Sequence, residues 1–116
     1  MNDDLYDAEC VFCQRIERGE YEQDHGPAVS FEPIKPVTPG HMLFVPVDHI
    51  EHGGRGAATD VGTAMRYAQH YGVRRGEAFN LIVSSGRAAT QTIAHVHIHY
   101  VPRRDGDGLP LPWDRS

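Results

Sequence analysis

An excess of positive charge is the first thing this chain lacks: 11 lysines and arginines stand against 16 aspartates and glutamates, a formal net charge of −5 at pH 7. With no broad basic footprint, nonspecific binding to nucleic acid is not expected, which leaves room only for a small local phosphate pocket. Long apolar runs are also missing. Residues 1–7 are acidic and read as neither a secretory leader nor a membrane span, so a cytoplasmic location and no membrane partner are expected. Cysteine is scarce. Cys10 and Cys13 are the only two, too few for a disulfide scaffold, and in a reducing compartment a Cys-x-x-Cys pair is more often a metal clip or a redox pair than a structural bridge. Repeats and low-complexity segments are absent too. At 116 residues the chain suits one domain with a core of its own.

What is present alternates between strand and helix signals. Residues 13–19 predict a short helix ending in glycine, and residues 28–31 alternate as a first strand. Pro33, Pro36 and the Pro39-Gly40 pair enforce a turn before a second, mostly apolar strand over 41–47, with Pro46 placing its far end at an edge or bend. Glycines 53, 54 and 56 loosen the next loop. Thr59 can cap a short helix whose apolar residues Val61, Ala64, Met65 and Ala68 recur at helical spacing, with Gly72 as its stop. Residues 78–84 predict a third strand, 85–90 a small-residue loop, and 103–116 an extended tail. The class is α+β, an antiparallel sheet of four to five strands with one main helix and a short N-terminal one.

The densest chemistry lies at 95–101, where His95, His97 and His99 alternate with Val96 and Ile98 and lead into Tyr100 and Val101. Such alternation predicts an extended strand with all three imidazoles on one face, about 6.5–7 Å apart. Neutral imidazole is a nucleophile and its protonated form an acid, so neighbouring rings can divide those roles near neutral pH. Alternating histidines can equally chelate a catalytic metal. Cys10 and Cys13 offer thiolates that tetrahedral zinc prefers, a redox dithiol, or a pair of small buried thiols; the redox reading lacks its βαβ context.

The run His-apolar-His-apolar-His-apolar-apolar at 95–101 resembles the defining motif of the histidine triad (HIT) family of nucleotide hydrolases and transferases. Further blocks fall in the same order: Cys10-Val11-Phe12-Cys13; Pro39-Gly40-His41 leading to Val47-Asp48-His49; and the loop from Gly86 to Thr92. The likeness spans about 10–104, leaving 1–9 as an N-terminal arm and 105–116 as the tail. It implies that His97 attacks the α-phosphorus of a nucleoside monophosphate conjugate, an AMP phosphoramidate or dinucleoside polyphosphate, forming a nucleotidyl-histidine that water resolves. His99 and His41 would orient and polarise that centre, with Ser84, Gly86, Gln91 and Thr92 at the phosphate loop. In members with the front cysteine pair the resemblance implies structural zinc on Cys10, Cys13, His49 and His95. It further implies a base pocket of Val11, Phe12, Phe31 and Ile34, and a homodimer, with Trp113 similar to a tail tryptophan that reaches the partner's site. His25, His52 and His70 match nothing and are expected at the surface.

Three positions depart from the family pattern. Pro33 stands where an aspartate commonly holds the ribose, Ser84 where a longer amide is usual, and Thr90 where glycine is usual, which would stiffen or shift the loop. These departures leave a catalytically weak nucleotide-binding or regulatory protein as an alternative. A metal-dependent hydrolase using the triad as ligands is a second.

Overall fold

Every residue of the strand Met42–Pro46 is buried, so both of its faces must be covered. The computed structural model, which describes residues 5–51 and 58–113, shows by what. In chain order come α1 (Val11–Glu17), β1 (Gln23–Asp24), β2 (Ala28–Phe31), β3 (Met42–Pro46), α2 (Ala58–Arg75), β4 (Phe79–Val83) and β5 (Ile98–Pro102). The five strands pair antiparallel in the order β1-β2-β3-β5-β4. This is the α+β class expected.

Side chains alternate across the sheet and sort the core into two halves. Met42, Phe44, Ile98 and Tyr100 face α2 and pack with Ala64 and Ala68, whose small side chains let the helix approach closely. Val29, Phe31, Leu43 and Val45 face the other way and pack with Cys10, Phe12 and Cys13 of the N-terminal segment. Burying an apolar side chain of this size contributes roughly 1.5–3 kcal/mol. His99 pairs with Leu43 in register, so its side chain emerges on the α1 face, away from α2.

Four details differ from the sequence reading. The strand expected from His95 begins at Ile98: the His95 amide bonds to the Ile93 carbonyl at 2.8 Å and the Val96 amide to the Ile50 carbonyl at 2.6 Å, which turns the backbone before it can join β3. Helix α2 is not short but 18 residues long, because Gly72 faces Phe79 rather than ending the helix; a Cβ there would lie 2.3 Å from the Phe79 ring. Thr59 sits inside its first turn instead of capping it. His25 is not simply solvated: its ring stacks between Phe44 and Tyr67, with centroids 5.6 and 5.0 Å away, and its Nε2 lies 3.0 Å from Ser30 Oγ. His70 is exposed, and His52 and the glycines at 53, 54 and 56 lie outside the described residues.

After β5 the chain turns at Asp105 and Gly106 and is fastened by Arg103. That guanidinium donates to both oxygens of Asp107 (2.8 and 3.1 Å), to Asn80 Oδ1 (2.7 Å) and to the Leu109 carbonyl (2.6 Å). Trp113 beyond it is 70% exposed. No helix among the described residues is long and apolar enough to cross a membrane.

Candidate functional site

Backbone groups fix the tautomers of three histidines on the α1 face. A carbonyl only accepts, so the 2.8 Å contact between His97 Nδ1 and the His95 carbonyl places the proton on Nδ1. The lone pair of His97 is therefore on Nε2, for which no hydrogen bond occurs among the described residues. His41 works in the opposite sense. Its Nδ1 accepts the Val37 amide proton at 3.0 Å, so its Nε2 carries hydrogen and donates to His99 Nδ1, also at 3.0 Å. His99 is then left with a hydrogen on Nε2, a donor for whatever occupies the site.

Burial keeps these rings neutral. It lowers His97, against the raising effect of the His95 carbonyl, and it lowers His41. His99 is pushed down to about 4, first by burial and then by His97 and His41. The His97 and His99 rings lie 5.0 Å apart, and Phe12 packs edge-on against His97 at 5.2 Å. His41 is placed by the turn before β3, where Gly40 adopts φ +91 and any Cβ would meet Pro102 at 3.0 Å.

His95 faces a different chemistry. Its Nε2 donates to the Pro46 carbonyl at 2.8 Å, which leaves Nδ1 unprotonated, 3.3 Å from Cys10 Sγ and 3.6 Å from Cys13 Sγ. His49 Nδ1 lies 3.4 Å from Cys13 Sγ, and the four ligand atoms all fall within 4.8 Å of one another. Cys10 also caps α1, its Sγ accepting the Cys13 amide. Burial raises the Cys13 thiol to about 11, so its proton stays until a cation displaces it. Asp7 and Glu51 stand 3.8 and 3.7 Å from His49 Nε2, where carboxylates commonly steady a ligating imidazole. These four residues form a site able to hold a metal ion, separate from the ring nitrogens of His97 and His99.

The remaining expected residues divide. Phe12 and Phe31 meet at 5.5 Å and are buried, whereas Val11 is half exposed and Ile34 is 89% exposed. Ser84 and Thr90 line a groove of about 350 Å³ together with His41 and His99. Thr92 lies elsewhere, beside Cys10 and His49. Gly86, at φ +90, opens the loop, and Gln91 spends its side chain on closing it: Oε1 accepts the Gly86 amide at 2.8 Å while Nε2 reaches the carbonyls of Ile93 and Glu51. Thr90 holds φ +68, the left-handed region. Sequence reasoning missed Asp7 and Glu51 near His49, and Asn80, Ile82 and Arg103 in the groove. The alternation of Asn80, Ile82 and Ser84 along one strand was the signal that could have found the groove.

A fold with a two-faced antiparallel sheet and alternating histidines beside a helix-capping cysteine pair defines a class. The HIT domain model matches residues 21–106, and the chain belongs to that family. It is 31% identical over 114 residues to an uncharacterized HIT-like protein of Methanocaldococcus jannaschii, covering 85% of this chain and 82% of that one. An adenosine 5′-monophosphoramidase of Candida albicans is 28% identical over 120 residues, covering 91% and 78%. Among solved structures, a zinc-bound histidine triad family protein from Mycobacterium smegmatis superposes with a TM-score of 0.70 at 27% identity, covering 93% of this chain and 84% of that one.

Proposed function

We propose that this protein hydrolyses nucleoside monophosphate conjugates at the α-phosphate, with His97 as nucleophile. The observation that carries this reading is the contact between His97 Nδ1 and the His95 carbonyl, which directs the ring's lone pair to Nε2. In the first step that pair bonds to the α-phosphorus as the bond to the leaving group breaks; in the second, water attacks the same phosphorus and releases the nucleoside monophosphate and the free ring. His99, held by His41, presents Nε2–H to a phosphoryl oxygen and orients it. Ser84, Gly86 and the loop that Gln91 closes bound the phosphate, while Thr92, expected there, faces the cysteine cluster instead. Val11, Phe12, Phe31 and Ile34 bound the nucleoside.

The metal on Cys10, Cys13, His49 and His95 is, in this reading, zinc. With Zn–S about 2.3 Å and Zn–N about 2.0–2.1 Å, the sulfur–nitrogen edge of a tetrahedron is about 3.5 Å. The observed separations of 3.3, 3.4 and 3.6 Å fit that edge. Four protein ligands leave no open position, so zinc would tie the N-terminal segment to the sheet without taking part in the displacement. A homodimer, and a small nucleotide rather than nucleic acid as partner, complete the proposal. The net charge of −5 supports the latter.

The test is His97→Ala assayed with adenosine 5′-phosphoramidate. Turnover is expected to fall on the order of 10⁴-fold, the scale of losing a covalent nucleophile, with an unchanged circular dichroism spectrum. Activity near that of the unaltered protein would reject the assignment.

A further inference from the structure

Resting on the zinc reading of the cysteine cluster, we infer that Asp7 is the positioning residue that sets how tightly the metal is held, and that the metal in turn closes the N-terminal arm over residues 5–9. The two ligating rings are not equally supported. His95 donates its far nitrogen to the Pro46 carbonyl at 2.8 Å, a backbone partner already in place. His49 has none. With its Nδ1 turned to Cys13, the ring hydrogen belongs on Nε2, an enclosed atom for which no hydrogen bond occurs among the described residues. The side chain is 8% exposed, and leaving a buried donor unmatched is costly. Facing it are two carboxylates, Asp7 at 3.8 Å and Glu51 at 3.7 Å.

These two acids differ in how far they are prepared for the task. Asp7 Oδ1 accepts the Glu9 amide at 2.9 Å and its carbonyl accepts the Cys10 amide at 3.0 Å, so the residue is fixed with Oδ2 turned to His49. Glu51 is looser: its carboxylate makes no hydrogen bond among the described residues and its side chain is 64% exposed. The arm around Asp7 is fastened on several sides. The Leu5 carbonyl accepts the His49 amide at 2.9 Å, the Tyr6 hydroxyl donates to Glu17, and the Ala8 carbonyl accepts Gln14 Nε2 at 2.8 Å. None of these contacts involves a ring nitrogen. The approach of Asp7 to His49 does, and it alone reads the metal: a cation on Nδ1 strengthens Nε2–H as a donor, and an anionic acceptor there makes the ring a better ligand. Asp7, His49 and Cys10 line one cavity of about 280 Å³, which gives the carboxylate room to close the remaining distance. By linkage, the factor that arm closure adds to metal affinity is the factor that the metal adds to arm closure.

The test uses the full chain, with zinc affinity read at one fixed pH by competition with a chromophoric chelator. Asp7→Asn keeps one acceptor oxygen and makes the other atom a donor, so it can serve the Glu9 amide or His49 but not both. It is expected to weaken zinc about tenfold or more, and Glu51→Gln to weaken it less. The metal-free thermal midpoint and the cobalt(II) absorption envelope, which report the fold and the four ligands, should not change in Asp7→Asn. Zinc should slow chymotryptic cleavage after Tyr6 by about tenfold or more in the unaltered protein and by much less in Asp7→Asn. Equal zinc affinity in the two proteins overturns the inference and leaves the four-ligand site standing. So does a weaker affinity that comes with an altered cobalt envelope or a lowered metal-free midpoint, and so does cleavage that zinc slows equally in both. A second equivalent of zinc that Asp7→Asn abolishes also overturns it, by giving the carboxylates a cation of their own. An unaltered protein that binds no zinc rejects the zinc reading itself and this inference with it.

Discussion

His99 has no acidic partner among the described residues and three reasons to stay uncharged: burial, the neighbouring His97 ring, and His41, whose Nε2–H already occupies its Nδ1. Its pKa of about 4 in the folded protein lies below the ordinary histidine value near 6.5. The sign of the consequence follows by linkage. Above pH 6.5 the ring is neutral whether folded or unfolded and favours neither state; as pH falls from 6.5 to 4, the unfolded chain takes up a proton that the folded one refuses. Stability is therefore lost across that window, by about 3 kcal/mol from this residue alone. Urea midpoints measured between pH 7.5 and 4 should decline, and His99→Gln should flatten the decline; a profile unchanged by that variant would contradict the assignment. Thr90 shows a different kind of constraint. Glycine is the residue suited to φ +68, and a β-branched side chain there is strained, as its place in the loop implied from sequence.

Among the elements, those with a clean hydrophobic period were legible. The alternation of residues 28–31 and the apolar run over 41–47 located β2 and β3 to within a residue, and Val61, Ala64, Met65 and Ala68 located α2. Strand β1, two exposed polar residues, carried no such signal. The length of α2 was hidden for another reason: a glycine near a helix end reads as a stop, and only its contact with Phe79, itself stacked 5.0 Å from Tyr100, shows that it is a packing position. Gly72→Ala accordingly sets about 1 kcal/mol of improved helix propensity against about 1–3 kcal/mol of overpacking. The net expectation is a destabilised protein, read as a lower thermal midpoint, and a raised midpoint would show that Phe79 yields freely. At the candidate site, the histidine spacing singled out His95, His97 and His99 but could not show how each ring is engaged. Backbone carbonyls at Pro46 and His95, which a residue pattern cannot display, determine which nitrogen of each ring is available.

Across the whole molecule, α2 insulates one face of the sheet and the N-terminal segment closes the other, so His97 and His99 sit on the side held by α1 and the cysteine cluster. On the proposal that Cys10, Cys13, His49 and His95 hold zinc, a strong chelator should leave β2, β3, β5 and α2 packed while releasing that segment. The expected result is a thermal midpoint lower by several degrees, a loss on the order of 1–3 kcal/mol, restored by added zinc. An unchanged midpoint with metal removal verified by elemental analysis would count against the site.

His95 joins the two halves of this arrangement through opposite ends of one residue. Its ring belongs to the cysteine cluster and its carbonyl holds His97 at 2.8 Å. A perturbation that rocks the first must tilt the second. Damage at Cys10 or Cys13, neither of which approaches the reacting phosphorus in this reading, would then be felt as a misaimed imidazole, making the thiols remote custodians of the nucleophile's bearing.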